Sequence, residues 1–91
     1  MGIYGFELDV KTGKLEPLGL LAASENPSFL ALNPAGTHLY AVNEVENGTV
    51  SAFEVTDEGR GLRALNTQSA QGSAPCHLSV DATGKNVLFA N

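Results

Sequence analysis

The sequence is short of cysteine, tryptophan, methionine and positive charge: one Cys, no Trp, one Met and five Lys and Arg among 91 residues. Each shortage excludes something. The lone thiol, Cys76, can close no intrachain disulfide and cannot supply the cysteine sets of structural zinc sites, which favours a reducing, cytoplasmic setting. Five basic residues against ten acidic ones leave a net charge of −5, the wrong sign for the clustered basic face that grips nucleic acid. No run approaches the roughly 20 apolar residues that span a bilayer, and residues 1–15 lack the basic and then apolar segments of a secretory leader, so neither membrane nor export is expected. Phosphate-binding glycine loops are missing, and His38 and His77 have no recognised metal-ligand spacing, so neither cofactor nor metal is expected.

What is present describes a folded chain, since 43% of the residues are hydrophobic and 16% charged. The length suits one small domain or a piece of a larger one, and alone it would bury only about 60–65% of its unfolded surface. Turn residues punctuate it at Asp9–Lys14, Asn33-Pro34-Ala35-Gly36, Asn47-Gly48, Asp57–Gly61 and Asp81-Ala82-Thr83-Gly84. Short apolar runs between them read as strands. Ile3–Leu8 puts Tyr4, Phe6 and Leu8 on one face, and Val50–Val55 repeats the pattern with Ala52 and Phe53. Leu18–Ser24 leans toward helix, but it is short and uncapped and reads as a buried strand end.

The chain also repeats itself. At an offset of 47, Phe6-Glu7 falls on Phe53-Glu54, Leu15 on Leu62 and Leu18 on Leu65; at 48, Pro27 falls on Pro75, Leu30 on Leu78, Gly36 on Gly84 and Asn43 on Asn91. A β-repeat of this length holds about four strands, the size of a propeller blade. With strands a to d counted outward, Phe29–Leu32, His38–Asn43, Thr49–Val55 and Leu62–Ser69 make one complete blade within 25–70. Ile3–Leu8 and Leu15–Leu21 form a c–d half blade within 2–24, and Cys76–Val80 and Asn86–Ala90 an a–b half blade within 71–91. The expected fold is all-β, with about two blades of four antiparallel strands. Half blades leave open edges that invite pairing with another chain, so a homo-oligomer is expected.

Asn26-Pro27-Ser28-Phe29-Leu30-Ala31-Leu32-Asn33-Pro34, followed by Leu39-Tyr40-Ala41-Val42-Asn43-Glu44, resembles the lactonase family of seven-bladed β-propellers. So do the second pass, Ala74–Asp81 with Asn86–Asn91, and the opening Gly2–Tyr4 through Gly13-Lys14-Leu15. The family includes 6-phosphogluconolactonases and carboxymuconate cyclases. The resemblance implies a lactone as small-molecule partner and hydrolysis as the reaction, without a cofactor. It also implies that arginines and further acidic and histidine residues lie on later blades. The isolated chain is therefore expected to be inactive. The rival reading is a non-catalytic propeller module that self-assembles or serves as a binding scaffold.

Because strand direction alternates, the d–a and b–c connections share one face, gathering Asn26-Pro27, Asn43-Glu44, Ser73–His77 and Asn91. Asp9, Asn33, Arg60 and Asp81 fall on the other. His77, at the start of an inner strand, either donates a hydrogen bond to a lactone oxygen and relays a proton or anchors a loop. Glu44 either activates the attacking water or is a solvated loop carboxylate. Asn26, Asn43, Ser73 and Asn91 are candidate substrate contacts, although the matched repeat positions of Asn43 and Asn91 argue for a shared structural role such as capping a strand end. Cys76 beside His77 points to the opposite side of a strand, which disfavours a Cys–His pair and suggests a buried thiol. Asn47-Gly48-Thr49 fits a glycosylation acceptor but reads better as a hairpin turn, and proline excludes Asn26-Pro27-Ser28 as an acceptor.

Overall fold

The computed structural model describes residues 2–90 as eight strands in three antiparallel sheets. β1 (Gly2–Leu8) pairs with β2 (Leu15–Ala23). β3 (Pro27–Leu32), β4 (His38–Asn43), β5 (Thr49–Thr56) and β6 (Gly61–Ser69) form a four-stranded sheet in chain order. β7 (His77–Val80) pairs with β8 (Val87–Ala90). The only helical element among the described residues is a 3₁₀ turn at Asp57–Gly59, and no helix is long and apolar enough to cross a membrane. The pattern of two, four and two strands is the expected one, with ends displaced by one or two residues. Pro27 opens β3 opposite Asn43, a position at the start of a strand where its missing N–H is tolerated.

The repeat is reproduced bond for bond in the β3–β4 and β7–β8 turns. Asn33 Oδ1 accepts from the Thr37 and His38 amides at 2.9 and 3.0 Å, and Asp81 Oδ1 accepts from the Lys85 and Asn86 amides at 3.0 and 3.1 Å. A side-chain oxygen thus caps each turn, and the glycine that completes it, Gly36 or Gly84, has φ of 72° or 74°. Asp81 is the titratable version. The Asn86 side-chain amide, helped by the Asn86 and Lys85 backbone amides and the Thr83 hydroxyl, lowers its pKa from 3.8 to about 2.

The sheets join through apolar side chains. Ile3 packs with Ala41 and Phe53, flanked by Ala22, Leu39 and Leu62, and so fastens the first sheet to the second. Phe29 of β3 lies against His77 of β7, their ring centroids 4.3 Å apart, while Leu78 and Val42 are wholly buried. Two expectations of burial are corrected. The end of β2 is a strand, yet Leu20 is 52% exposed because nothing packs on that side of the two-stranded sheet. Cys76 is exposed, since it lies ahead of β7 rather than within it. On β1, Tyr4, Phe6 and Leu8 are exposed while Ile3 turns inward, with register shifts between Ile3 and Tyr4 and between Gly5 and Phe6.

Asn47-Gly48 closes a five-residue connection, 44–48, rather than a two-residue hairpin loop. Close approach explains the glycine: a Cβ on Gly48 would stand 2.2 Å from Pro75 Cδ and 3.0 Å from the Gly72 oxygen. Gly48→Ala is therefore expected to destabilise the chain by roughly 1–3 kcal/mol through overpacking. A urea midpoint equal to that of the unsubstituted chain would contradict this. For Asp81, a lowered folded-state pKa means stabilisation that is complete above 3.8 and fades as pH falls toward 2. Carboxyl-detected NMR titration should place its midpoint near 2, and Asn86→Ala should move the midpoint up toward 3.8.

Candidate functional site

One face is assembled by the connections at 24–26, 44–48 and 70–76. Backbone bonds tie them together: the Glu44 amide donates to the Asn26 carbonyl at 2.9 Å, Ala74 to Val45 at 2.7 Å and Gly48 to Gly72 at 3.0 Å. Asn26 and Ala74 occupy equivalent repeat positions, and each precedes a proline with φ of 40° or 48°. The left-handed turn redirects the chain into β3 and β7. Asparagine tolerates this conformation, whereas alanine is strained by about 1–2 kcal/mol.

Asn43, at the end of β4, is 3% exposed and fully engaged. Its Nδ2 donates to Ser24 Oγ and to the Glu25 carbonyl, both at 2.7 Å; its Oδ1 accepts from Thr49 Oγ1 at 2.9 Å and Ser51 Oγ at 2.7 Å. Two donors and two acceptor sites are all that a primary amide has. Asn43 therefore acts as a tie between the β2–β3 connection and β5. Ser51 also contacts Thr67 of β6 at 3.1 Å, extending the network across the sheet. These partners floor a groove of about 400 Å³ between β2 and β5–β6. Sequence reasoning missed the partners, although polar Thr49 and Ser51, alternating along a strand, were the available signal.

Glu44 is exposed and lines a cleft of about 430 Å³ with Gly2, Asn26, Pro27 and Ser28. The structure thus brings Asn26 and Glu44 together and adds Ser28. His77 begins β7 outside that cleft, with its exposed ring on Phe29. Ser73 belongs to the β6–β7 connection, one residue from the Ala74–Val45 bond. Asn91 lies outside the described residues. Among the described residues, no three His, Cys, Asp or Glu side chains come together as a metal centre requires.

The basic residues lie away from the candidate face, whereas acidic residues occur on both. Glu25, Glu44 and Glu46 lie in the connections of the candidate face. Lys11, Lys14, Arg60 and Lys85 lie in the turns opposite, and Arg63 sits near the opposite end of β6, paired with Glu54. Among the described residues, the candidate face therefore carries carboxylates and no lysine or arginine.

The family model described as "Lactonase, 7-bladed beta-propeller" matches residues 1–91. The chain belongs to this family. The chain is 38% identical over 91 residues to the 6-phosphogluconolactonase of Bacillus subtilis strain 168 and 32% identical over 93 residues to that of Formosa agariphila. Each match covers 99% of this chain and 26% of the relative, so the chain spans about a quarter of these proteins' length. A crystal structure of a Bacteroides fragilis protein superposes with a TM-score of 0.89 at 40% identity, covering 99% of this chain and 25% of that one. One from Lactobacillus plantarum gives 0.82 at 36% identity, covering 99% and 26%. These likenesses agree with the all-β fold of this chain, a four-stranded sheet between two two-stranded ones.

For Asn43, the geometry gives a direct test. Asn43→Ala would leave the Glu25 carbonyl and the Thr49 and Ser51 hydroxyls without their partner, at an expected cost of at least about 2 kcal/mol. Denaturation showing unchanged stability would return Asn43 to the list of free ligand-binding groups.

Proposed function

We propose that this chain forms part of a hydrolase that opens a sugar-acid lactone with water, in the manner of the 6-phosphogluconolactonases it resembles. The 38% identity to the Bacillus subtilis relative, running through nearly the whole chain, carries the reading. In this reading Glu44, open to solvent in the cleft with Asn26 and Ser28, takes a proton from the attacking water. The oxygen adds to the ring carbonyl, whose developing negative charge needs hydrogen-bond donors. In this reading His77, which lies outside that cleft, donates such a bond or returns a proton to the departing ring oxygen, leaving the hydroxy acid. Asn26 and Ser73 contact the sugar hydroxyls. The single cysteine, Cys76, which can close no intrachain disulfide, supports a reducing, cytoplasmic setting for this reading.

Among the described residues, an anionic lactone would meet carboxylates on this face and no lysine or arginine to offset their repulsion. Cations from further blades are therefore part of the proposal. A scaffold role is the second reading, favoured by Asn43, whose amide is wholly spent on structure.

The 91-residue chain is expected to hydrolyse 6-phosphogluconolactone no faster than the spontaneous rate, and turnover well above it would overturn the division of the site between blades. In a longer lactonase carrying these residues, Glu44→Gln should lower kcat by roughly 100-fold or more. Undiminished activity in that variant and in His77→Ala would assign this face to scaffolding.

A further inference from the structure

Of the asparagines from Asn26 to Asn86, Asn47 alone precedes a glycine. That dipeptide is chemically labile. The main-chain nitrogen that follows an asparagine can attack its side-chain Cγ, and a Cβ on the following residue hinders the approach, whereas glycine has none. Asn26 and Asn33 precede prolines, whose nitrogens carry no proton to lose. Asn43, Asn66 and Asn86 precede glutamate, threonine and valine, each with a Cβ in the way.

The fold requires this glycine. A Cβ on Gly48 would stand 2.2 and 2.8 Å from Cδ and Cγ of Pro75, which is wholly buried. The same close approach restrains the chemistry. The Gly48 amide donates to the Gly72 carbonyl at 3.0 Å, and the Gly48 carbonyl accepts from the Ala70 amide at 2.8 Å. The Ala74 amide adds a bond to the Val45 carbonyl at 2.7 Å. Asn47 itself is exposed while Gly48 is buried. An N–H held on a carbonyl neither gives its proton to solvent nor turns its nitrogen toward Asn47 Cγ. Ring closure therefore requires the 44–48 connection to part from the 70–76 connection, a local opening.

We infer that Asn47 is a site of spontaneous deamidation, gated by the closure of the 44–48 connection on the 70–76 connection. When the two part, hydroxide takes the Gly48 amide proton and the nitrogen bonds to Asn47 Cγ. The Cγ–Nδ2 bond breaks, and the nitrogen takes a proton and leaves as ammonia. Water then opens the cyclic imide at either carbonyl. The product is aspartate or, with the main chain rerouted through Cβ and Cγ, isoaspartate. One water is consumed and one ammonia released, with no oxidant or cofactor. Either product adds a carboxylate beside Glu44 and Glu46, in connections that contain no lysine or arginine. Isoaspartate also lengthens the main chain by a methylene just ahead of Gly48. Val45 and Gly48 then no longer meet Ala74 and Gly72 in register, which releases the connection that begins at Glu44. This chemistry does not depend on the lactonase reading.

Peptide mapping by mass spectrometry tests the inference in a longer lactonase carrying these residues, kept in mildly alkaline buffer with and without denaturing urea. The expected result is exchange of NH2 for OH at Asn47, at least about tenfold slower in the folded protein than in urea. Pro75→Ala withdraws the ring from Gly48, and it should raise the folded-state rate at least about threefold while leaving the rate in urea unchanged. Hydrogen exchange at the Ala70 and Ala74 amides should be faster in converted protein than in fresh protein. Equal conversion with and without urea would overturn the inference, as would no conversion of Asn47 in urea, a folded Pro75→Ala protein that reacts no faster, or unchanged exchange after conversion. If Pro75→Ala does not fold, the comparison with and without urea decides by itself.

Discussion

Ile3 against Ala41 and Phe53 is the contact on which the arrangement depends, because a sheet of two or four strands is stable only when one of its apolar faces is covered. Two strands alone are marginal. Ile3, with Ala22 beside it, fastens β1–β2 to the β4–β5 face, and Leu78 and Val42 perform the corresponding task where β7 approaches β3 and β4. These small apolar joints determine which connections lie side by side. The candidate face follows from them, since its three connections can exchange backbone hydrogen bonds only once the sheets are stacked.

Asn43 is the polar counterpart of the apolar joint. It sits where the sheets meet and is too buried to be left unpaired, and its four hydrogen bonds hold the β2–β3 connection against β5. Gly48 does the same work by omission, letting the Pro75 ring close on the backbone. Glu44 is one residue beyond this fixed point, so its main chain is held while its carboxylate remains in solvent. A rigid backbone presenting a free polar group is what a propeller face offers to a ligand.

Among the described residues, the confinement of lysine and arginine to the other side gives the candidate face a chemical character of its own. Three carboxylates without a lysine or arginine suit activation of water better than capture of an anion. The chain spans about a quarter of its relatives' length, so this face is one part of a larger propeller surface.

The strand order was legible in the sequence because it rests on local chemistry. Alternation from Ile3 to Leu8, turn residues at Asn33 and Asp81, and matched prolines at Pro27 and Pro75 each act within a few residues, and the 47–48-residue repeat copies them. The grouping of Asn26 with Glu44 on one face also followed from strand direction alone. Burial did not. Phe6 and Phe53 have the same local pattern and opposite exposure, and the matched position of Asn43 suggests a structural role but not the Ser24, Glu25, Thr49 and Ser51 partners that fill it. Which face is covered and which polar group is spent depend on segments distant in the chain, so only the stacked sheets decide them.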